Sequence, residues 1–206
     1  MFLVCFRVRL HQHVNQQRCY GVCCRAFGEN EKLGPQETEP GSLMGNNSDS
    51  SANEPWLHIA LYQPEIPQNT GNIGRTCVAL GAKLWIIRPT GFRLDAQQLR
   101  RAGLDYWQHL VWEAVDHWDD FLTRFSGRRI WIITKFGKAI YHQAKFQRGD
   151  VLLFGSETSG LPPGIHAQFS DHSIQIPMRE EARSLNLSNA VSIVAYEAHR
   201  QLAPTN

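Results

Sequence analysis

The stretch Arg183-Ser-Leu-Asn-Leu-Ser-Asn-Ala190 is a dense run of small polar residues between a predicted strand and a predicted helix. The strand pattern before it covers Ser173–Pro177, and the helical pattern after it covers Asn189–Leu202. Such a run has two common uses. Asn186 or Ser188 can cap the helix by accepting a hydrogen bond from a free backbone N–H, or the run can form a loop whose backbone groups converge on a small ligand.

Two further segments have the same strand–loop–helix character. Asn69–Arg75 follows the strand pattern Leu57–Tyr62, and Phe154–Pro162 follows the apolar run Val151–Leu153. In α/β proteins, ligands bind where the carboxyl ends of parallel strands meet such loops. The three loops together therefore favour a ligand site at one edge of a parallel sheet.

The order of the predicted elements indicates an α/β fold. Strand patterns alternate with helical patterns, which is typical of a mostly parallel sheet covered by helices. The predicted strands are Leu57–Tyr62, Lys83–Arg88, Arg129–Thr134, Val151–Phe154 and Ser173–Pro177, and the predicted helices are Thr70–Leu80, Ala96–Ala102, Val115–Phe125 and Asn189–Leu202. No G-x-G-x-x-G follows the first strand and no G-x-x-x-x-G-K-[ST] is present, so neither a Rossmann dinucleotide site nor a P-loop is supported.

The composition is that of one folded domain with a tail. The chain has 206 residues, of which 42% are hydrophobic, and a net charge of +2. It has no run of 18 apolar residues, so no membrane span is predicted. Its Lys and Arg residues form local groups, which either suit RNA phosphates or are ordinary solvated charges. Cys77 is the only cysteine of the predicted domain, which is consistent with a reducing compartment and an expected cytoplasmic location.

The first 56 residues differ from the rest and are expected to form a disordered extension before a domain at residues 57–206. Residues 1–28 contain four Arg, four Cys and no acid, whereas residues 29–55 hold six acids and one Lys. Three interpretations stay open. The segment is a transit peptide that directs the protein to an organelle, a metal site with Cys and His spacing that fits no standard zinc pattern, or a stretch upstream of a true start at Met44.

Taken together, these segments resemble the motifs of the SPOUT superfamily of RNA methyltransferases. The resemblance is closest to its small single-domain branch, the tRNA (cytidine/uridine-2′-O)-methyltransferases of the wobble position, and it covers residues 57–202. The matching segments are, in order, Asn69–Arg75, Arg100–Trp107, Phe154–Pro162, Ile176–Met178 and Arg183–Gln201.

The resemblance implies a six-stranded, mostly parallel α/β sheet with a C-terminal trefoil knot, a rare exception to the rule against threaded chains. It also implies that the knot loops bind S-adenosylmethionine, with no metal. Apolar walls and backbone groups suit a flat, neutral adenine, and Gly155 and Gly160 allow backbone to come close. The implied cofactor-binding residues are Ile133, Thr134, Gly155, Glu157, Gly160, Ile176, Met178, Ser184 and Leu185.

The implied reaction is methylation of the ribose 2′-hydroxyl of the wobble nucleotide, with the tRNA anticodon stem-loop as RNA partner. The resemblance places Arg75 beside the target ribose. Because an Arg stays protonated, we expect Arg75 to bind phosphate and stabilise the developing alkoxide; a surface Arg paired with an acid is the alternative. The other implied catalytic residues are Asn186 and Tyr196, and the implied RNA-binding residues are Asn69, Arg100, Arg101 and Arg183.

The last predicted helix is expected to form a homodimer contact, as the resemblance implies. Its apolar face is made of small and branched residues. Tyr196 would then reach the other chain's site, although a core tyrosine with a bonded hydroxyl fits almost equally well. The residues of the apolar face are Val191, Val194, Ala195 and Ala198.

Two other functions stay open. The chain could be an RNA-binding protein that keeps the fold without catalysis, but the intact Arg75, Gly155, Glu157 and Ser184–Asn189 favour an enzyme. It could also methylate ribosomal RNA. Related ribosomal RNA enzymes usually carry an additional N-terminal RNA-binding domain, and the short polar segment before residue 57 favours tRNA instead.

Overall fold

Seven parallel strands form one sheet in the computed structural model, which describes residues 54–94 and 105–202. All six neighbouring strand pairs are parallel. The sheet order is β3-β2-β1-β6-β4-β7-β5. The strands are Leu57–Tyr62 (β1), Lys83–Ile87 (β2), Trp112–Val115 (β3), Ile130–Ile133 (β4), Ala139–Ile140 (β5), Asp150–Phe154 (β6) and Ser173–Gln175 (β7).

Four α-helices connect or follow these strands within the described residues. They are Pro67–Leu80 (α1), Trp118–Arg124 (α2), Pro163–Gln168 (α3) and Leu187–Leu202 (α4), and short 3₁₀ turns lie at Asp105–His109, Tyr141–Gln143 and Ser170–His172. In the part of the chain that the structure describes, no helix is long and apolar enough to cross a membrane.

Two hydrophobic layers cover the two faces of the sheet. Helices α1 and α4 cover one face, where Ile73 and Val194 pack with Ile59 of β1. Helices α2 and α3 cover the other face, where Phe121 and Ile165 join a separate cluster. Burial of each such side chain contributes about 1.5–3 kcal/mol. The central strands β1 and β6 are apolar along nearly their whole length because both of their faces are covered.

Local sequence signals set the ends of α1. Pro67 occupies its first turn, where the missing N–H is not needed. Gly81 ends the helix with a φ of 65°, a left-handed conformation that glycine adopts without a steric penalty. The helix therefore begins three residues before the predicted start at Thr70 and ends where it was predicted to end.

The sheet has seven strands, whereas the resemblance implied six. The helix predicted at Val115–Phe125 is shorter in the structure. Trp112–Val115 pairs in parallel with β2 as a strand, and α2 begins only at Trp118. Sheet pairing outweighs helical periodicity here, because a partner strand supplies hydrogen bonds and cross-strand contacts. The two-residue strand β5 and the short helix α3 were not predicted, and the helix predicted at Ala96–Ala102 lies outside the described residues.

The folded domain begins earlier than the predicted boundary at residue 57. Trp56 Nε1 donates a hydrogen bond to Leu80 O at 2.7 Å, and the backbone N–H of Gly149 donates to Trp56 O at 2.8 Å. Arg128 pairs with Glu54. Residues 54 and 56 are thus bonded to the rest of the domain.

Candidate functional site

Three loops leave the sheet side by side at its carboxyl edge. They follow the neighbouring strands β6, β4 and β7 and comprise residues 155–161, 134–138 and 176–186. Ile133 pairs in register with Phe154 on one side and with Ile174 on the other. The predicted cofactor residues Ile133, Gly155 and Ile176 therefore lie along one edge, although they are distant in sequence.

The loop at residues 155–161 closes on itself through its two predicted glycines. Ser156 and Gly160 exchange backbone hydrogen bonds of 3.2 and 3.0 Å, and Gly160 has a φ of +69°. A Cβ on Gly155 would lie 2.6 Å from Gly160 Cα and would also overlap Leu161 N. Gly155 is thus needed for the close approach of backbone within the loop itself, and its predicted role in the approach of a ligand stays a prediction.

Glu157 binds the amino end of α1. One carboxylate oxygen accepts the Glu65 N–H at 2.8 Å, and the other accepts Asn69 Nδ2 at 3.0 Å. The Ile66 N–H donates to the same group at 3.3 Å. A carboxylate at this place satisfies N–H groups that a helix leaves free and interacts favourably with the helix dipole. The carboxylate of Glu157 thereby joins loop 155–161 to helix α1.

Asn69 and Asn186 extend this link to the last helix. Asn186 Nδ2 donates to Asn69 Oδ1 at 2.9 Å. Asn186 Oδ1 accepts the backbone N–H of Ser188 at 2.9 Å and that of Asn189 at 3.4 Å, and it also accepts the Ser188 hydroxyl at 2.6 Å. The predicted capping of the last helix by Asn186 is confirmed.

A continuous network, Glu157–Asn69–Asn186, therefore connects three of the predicted motifs. Asn69 is only 6% exposed, and both groups of its side-chain amide are bonded within the chain. Asn69 is thus held within this network, and a direct RNA contact at Asn69 stays a prediction. The sequence singled out these residues because polar side chains follow the predicted strands. It gave no indication that they bond to one another.

The loop at residues 134–138 is held against β7. The Thr134 N–H donates to Ile174 O at 3.0 Å, and the Lys138 N–H donates to Ser173 Oγ at 3.1 Å. A Cβ on Gly137 would lie 2.6 Å from Ile174 O, so only glycine permits this approach. The loop also carries the exposed Phe136, which sequence reasoning missed because a single Phe beside an apolar strand looks like a core residue.

The loop at residues 176–186 is mostly open to solvent. Ile176 and Met178 are half-buried, whereas every residue from 179 to 186 is exposed. Leu185 is among the exposed large apolar side chains. Ser184 and Leu185 immediately precede the Asn186 cap, and Arg183 is exposed next to them. Arg183 is therefore accessible at this edge, as a residue predicted to contact RNA must be.

Arg75 and Tyr196 lie along the helices. Arg75 is exposed on α1, and Tyr196 is 52% exposed on α4. Tyr196 follows Asn186 by ten positions, which is about 15 Å at the rise of an α-helix. Tyr196 therefore lies about three turns along α4 from the loop that precedes this helix. Arg100 and Arg101 lie outside the described residues.

The apolar face of α4 is used within the chain. Val191, Val194, Ala195 and Ala198 are fully buried and belong to the core shared with α1. They cannot form the subunit contact predicted for them, because a surface already covered by the chain's own core is not available to a partner. A different stripe of α4 is exposed, and it consists of Asn189, Ile193, Tyr196 and Arg200.

The edge suits a ligand without phosphate groups. The amino ends of both helices that start here, α1 and α4, are already bonded by Glu157 and Asn186. The N–H groups that these two side chains bond are therefore not available to a phosphate. The half-buried Ile133, Ile176 and Met178 supply apolar walls, which fit a flat, uncharged ring.

The fold is that of an α/β protein with a parallel sheet, in which ligands commonly bind at the carboxyl ends of the strands. The chain belongs to the SpoU rRNA methylase family, which matches residues 56–196. It is 46% identical over 144 residues to a tRNA (cytidine(34)-2′-O)-methyltransferase of Methylovorus glucosotrophus, covering 69% of this chain and 94% of that protein.

Solved structures give the same relationship. One described by the words "Structural insights into the 2-OH methylation of C/U34 on tRNA" has 49% identity and a TM-score of 0.67, covering 71% of this chain and 95% of the other. The SpoU methyltransferase AviRb from Streptomyces viridochromogenes, in complex with the cofactor AdoMet, has 27% identity and a TM-score of 0.63, covering 73% and 59%. The predicted resemblance is confirmed.

Proposed function

We propose that this protein methylates the ribose 2′-hydroxyl of nucleotide 34, a cytidine or uridine at the wobble position of tRNA, with S-adenosylmethionine as methyl donor. The observation that carries the proposal is the Glu157–Asn69–Asn186 network, which joins the motif loops at one edge of the sheet. Relatives of 44–49% identity that match almost their whole length to this chain are named for this reaction or described by it.

The proposed cofactor site is the three-loop edge. Backbone groups and apolar side chains of the loops would hold the adenine and ribose, and the residues are Ile133, Thr134, Gly155, Glu157, Gly160, Ile176, Met178, Ser184 and Leu185. When bound, S-adenosylmethionine supplies an electrophilic methyl group on a sulfonium. The AdoMet complex of AviRb supports this assignment at the level of the family. No step of the proposal requires a metal.

Arg75 is proposed to act on the RNA. The ribose 2′-hydroxyl is a weak nucleophile, which must be aligned and must lose its proton as the oxygen–methyl bond forms. The guanidinium of Arg75 stays protonated, so it would bind the adjacent phosphate and stabilise the developing negative charge on the oxygen. The proton then leaves to phosphate or water. Arg75 is exposed on α1, so its side chain lies at the surface where the RNA is proposed to bind.

A two-fold homodimer is proposed to complete each site. Ile193 and Tyr196 are exposed apolar residues on one stripe of α4, and pairing these stripes would give an isologous contact. Because Tyr196 is about 15 Å along the helix from its own Asn186 cap, it would act in the site of the second chain. This proposal keeps the predicted helix contact but moves it to another face of the helix.

The trefoil knot is also a proposal. Strand β7 lies between β4 and β5, which are consecutive in the chain and joined only by residues 134–138. Gly137 of that connection touches the backbone of Ile174 in β7. The chain that continues from β7 must then pass this connection before α4, which supports threading of the C-terminal segment through it.

The test uses the purified protein with bulk tRNA and labelled S-adenosylmethionine, followed by mapping of the modified nucleotide. We expect a 2′-O-methyl group at nucleotide 34 of a subset of tRNAs. Ribosomal RNA serves as the competing substrate, because the family description names it. If only ribosomal RNA or another position of tRNA is labelled, the proposed substrate is wrong. If neither RNA is labelled, the proposed activity is rejected.

A further inference from the structure

Phe136 is the most exposed large hydrophobic side chain in the described part of the chain. Its exposed fraction is 74%, compared with 60% for Val111 and 52% for Tyr196. It lies in loop 134–138, directly after the predicted cofactor residues Ile133 and Thr134. A large exposed aromatic ring is unfavourable in water, so one at the edge of a functional site indicates a contact with a ligand.

The backbone around Phe136 is fixed although its ring is exposed. The Phe136 N–H donates to Thr134 Oγ1 at 3.3 Å, and the N–H groups of Thr134 and Lys138 are both bonded to β7. Gly137 is packed against Ile174. A loop held at three of its five residues fixes the backbone from which the ring projects, so little backbone entropy is lost when a ligand contacts the ring.

The surroundings of the ring are cationic. Lys135 Nζ lies 5.0 Å from the ring centroid of Phe136, and Lys135 and Lys138 are both exposed. Lys138 forms an ion pair with Asp171 at 2.8 Å, whereas the Lys135 ammonium lies over the ring. An aromatic face next to an ammonium group is the pairing with which proteins bind single-stranded nucleic acid, because the ring stacks on a base and the cation meets a phosphate.

We propose that Phe136 is a platform on which one unpaired base of the RNA substrate stacks, with Lys135 beside a neighbouring phosphate. The inference rests on the proposed function and adds a residue that positions the substrate. A subunit contact is a poorer fit, because charged residues such as the flanking lysines are depleted at the centres of protein interfaces. An anionic, single-stranded RNA loop matches both the ring and its charge.

The experiment measures binding of an anticodon stem-loop RNA to the wild-type protein, Phe136→Ala and Phe136→Trp by fluorescence anisotropy. The loss of one stacked base predicts a Kd that rises about five- to 150-fold in the Ala variant, and the Trp variant should bind within about threefold of wild type, since it keeps a stacking face. Val111→Ala, which removes an exposed apolar side chain just before β3, is the matched control and should leave the Kd unchanged.

Two further measurements on the same proteins separate the other possible occupants. Calorimetry measures the affinity of Phe136→Ala for S-adenosylhomocysteine, and sedimentation equilibrium measures its mass. Both should match the wild-type values. If Phe136→Ala loses affinity for the nucleoside S-adenosylhomocysteine but keeps its affinity for RNA, the ring contacts the cofactor. If the proposed dimer dissociates in Phe136→Ala, the ring is part of a subunit contact. Either result overturns the proposal.

Abasic substitutions identify the stacked base. Stem-loop RNAs that each lack one base of the loop are bound to wild type and to Phe136→Ala. We expect one RNA for which the two proteins bind equally, because the base that stacks is already absent. An equal effect of Phe136→Ala on every RNA, or no effect on any, overturns the proposal even if wild type methylates nucleotide 34. Failure of wild type to bind or methylate tRNA would reject the proposed function as well.

Discussion

Asn186 Nδ2 donates a 2.9 Å hydrogen bond to Asn69 Oδ1, across 117 positions of sequence. Through this one bond the amino end of α4 is tied to the amino end of α1, and Glu157 ties the same point to loop 155–161. Because the Asn69 amide is buried, arrangements that leave its oxygen unbonded are disfavoured. The relative position of the three motif loops therefore depends on this contact.

Substitution of Asn186 by Asp should separate its two roles. An Asp still caps α4, so we expect a change in unfolding free energy below about 1 kcal/mol. It has no N–H to give to Asn69 Oδ1 and places a charge against that oxygen, so affinity for S-adenosylhomocysteine should fall about tenfold, roughly 1.4 kcal/mol. Urea unfolding and calorimetry measure the two quantities. Asn189→Asp adds the same charge at the same helix end and should leave nucleoside affinity unchanged.

Gly155→Ala and Gly160→Ala should differ in their effect on the same loop. Ala at position 155 overlaps the backbone of Gly160 and Leu161, so the loop must open and nucleoside affinity should be lost. Ala at position 160 has nothing within 4 Å of its Cβ, so only its positive φ is strained, at about 1–2 kcal/mol. Calorimetry with S-adenosylhomocysteine checks both. Equal affinities in the two variants would contradict the role given to Gly155.

Arg75→Ala should keep affinity for the nucleoside and lose at least about 100-fold in methylation, since it removes charge stabilisation in the transition state. Arg75→Lys should restore little of the rate, because an ammonium does not replace the planar fork that holds a phosphate through two hydrogen bonds. Single-turnover methylation of tRNA measures the rate, and calorimetry measures the affinity. Loss of nucleoside binding in the Ala variant would place Arg75 on the cofactor side of the site.

Ile193→Glu and Val194→Glu should have opposite consequences, although the residues are adjacent. Val194 is fully buried in the chain's own core, so a charge there should unfold the domain. Ile193 lies on the exposed stripe, so Glu should leave the fold intact and dissociate the proposed dimer. Circular dichroism reports the fold and sedimentation equilibrium reports the mass. A wild-type protein that is monomeric at micromolar concentration would reject the dimer.

His58 should make stability depend on pH. Burial in the core, with Arg128 and Lys83 nearby, lowers its pKa from 6.5 to about 4. The neutral ring accepts a 3.1 Å hydrogen bond from Trp85 Nε1. The unfolded chain binds the proton more tightly, so stability is complete above pH 6.5 and falls as pH drops towards 4, by up to about 3 kcal/mol. Urea unfolding at pH 7.5 and 4.5 measures this loss, and it should be smaller in His58→Gln. Equal losses in the two proteins would contradict the assignment.

The sequence alone determined the class of fold and the family, and it predicted the edge of the sheet at which we propose the site. Apolar runs such as Leu57–Tyr62 and Val151–Phe154 predict buried strands, and the residues after them predict loops, because both signals are local. The capping role of Asn186 followed in the same way. The family motifs were recognisable for a related reason. A loop of a given backbone shape needs glycine and short polar residues at fixed positions, so its sequence repeats in related proteins.

Only the tertiary structure decided which residues act together. Trp112–Val115 is a strand because β2 lies beside it, and no local pattern reports such a neighbour. The small-residue face of α4 packs on the core of its own chain. The apolar pattern did not predict this, because the chain's own core and a second subunit would both satisfy it. The bond between Asn69 and Asn186, and the exposure of Phe136 on a fixed loop, depend on contacts between distant segments. Such contacts arise when the sheet brings its strand ends together, and local sequence does not encode them.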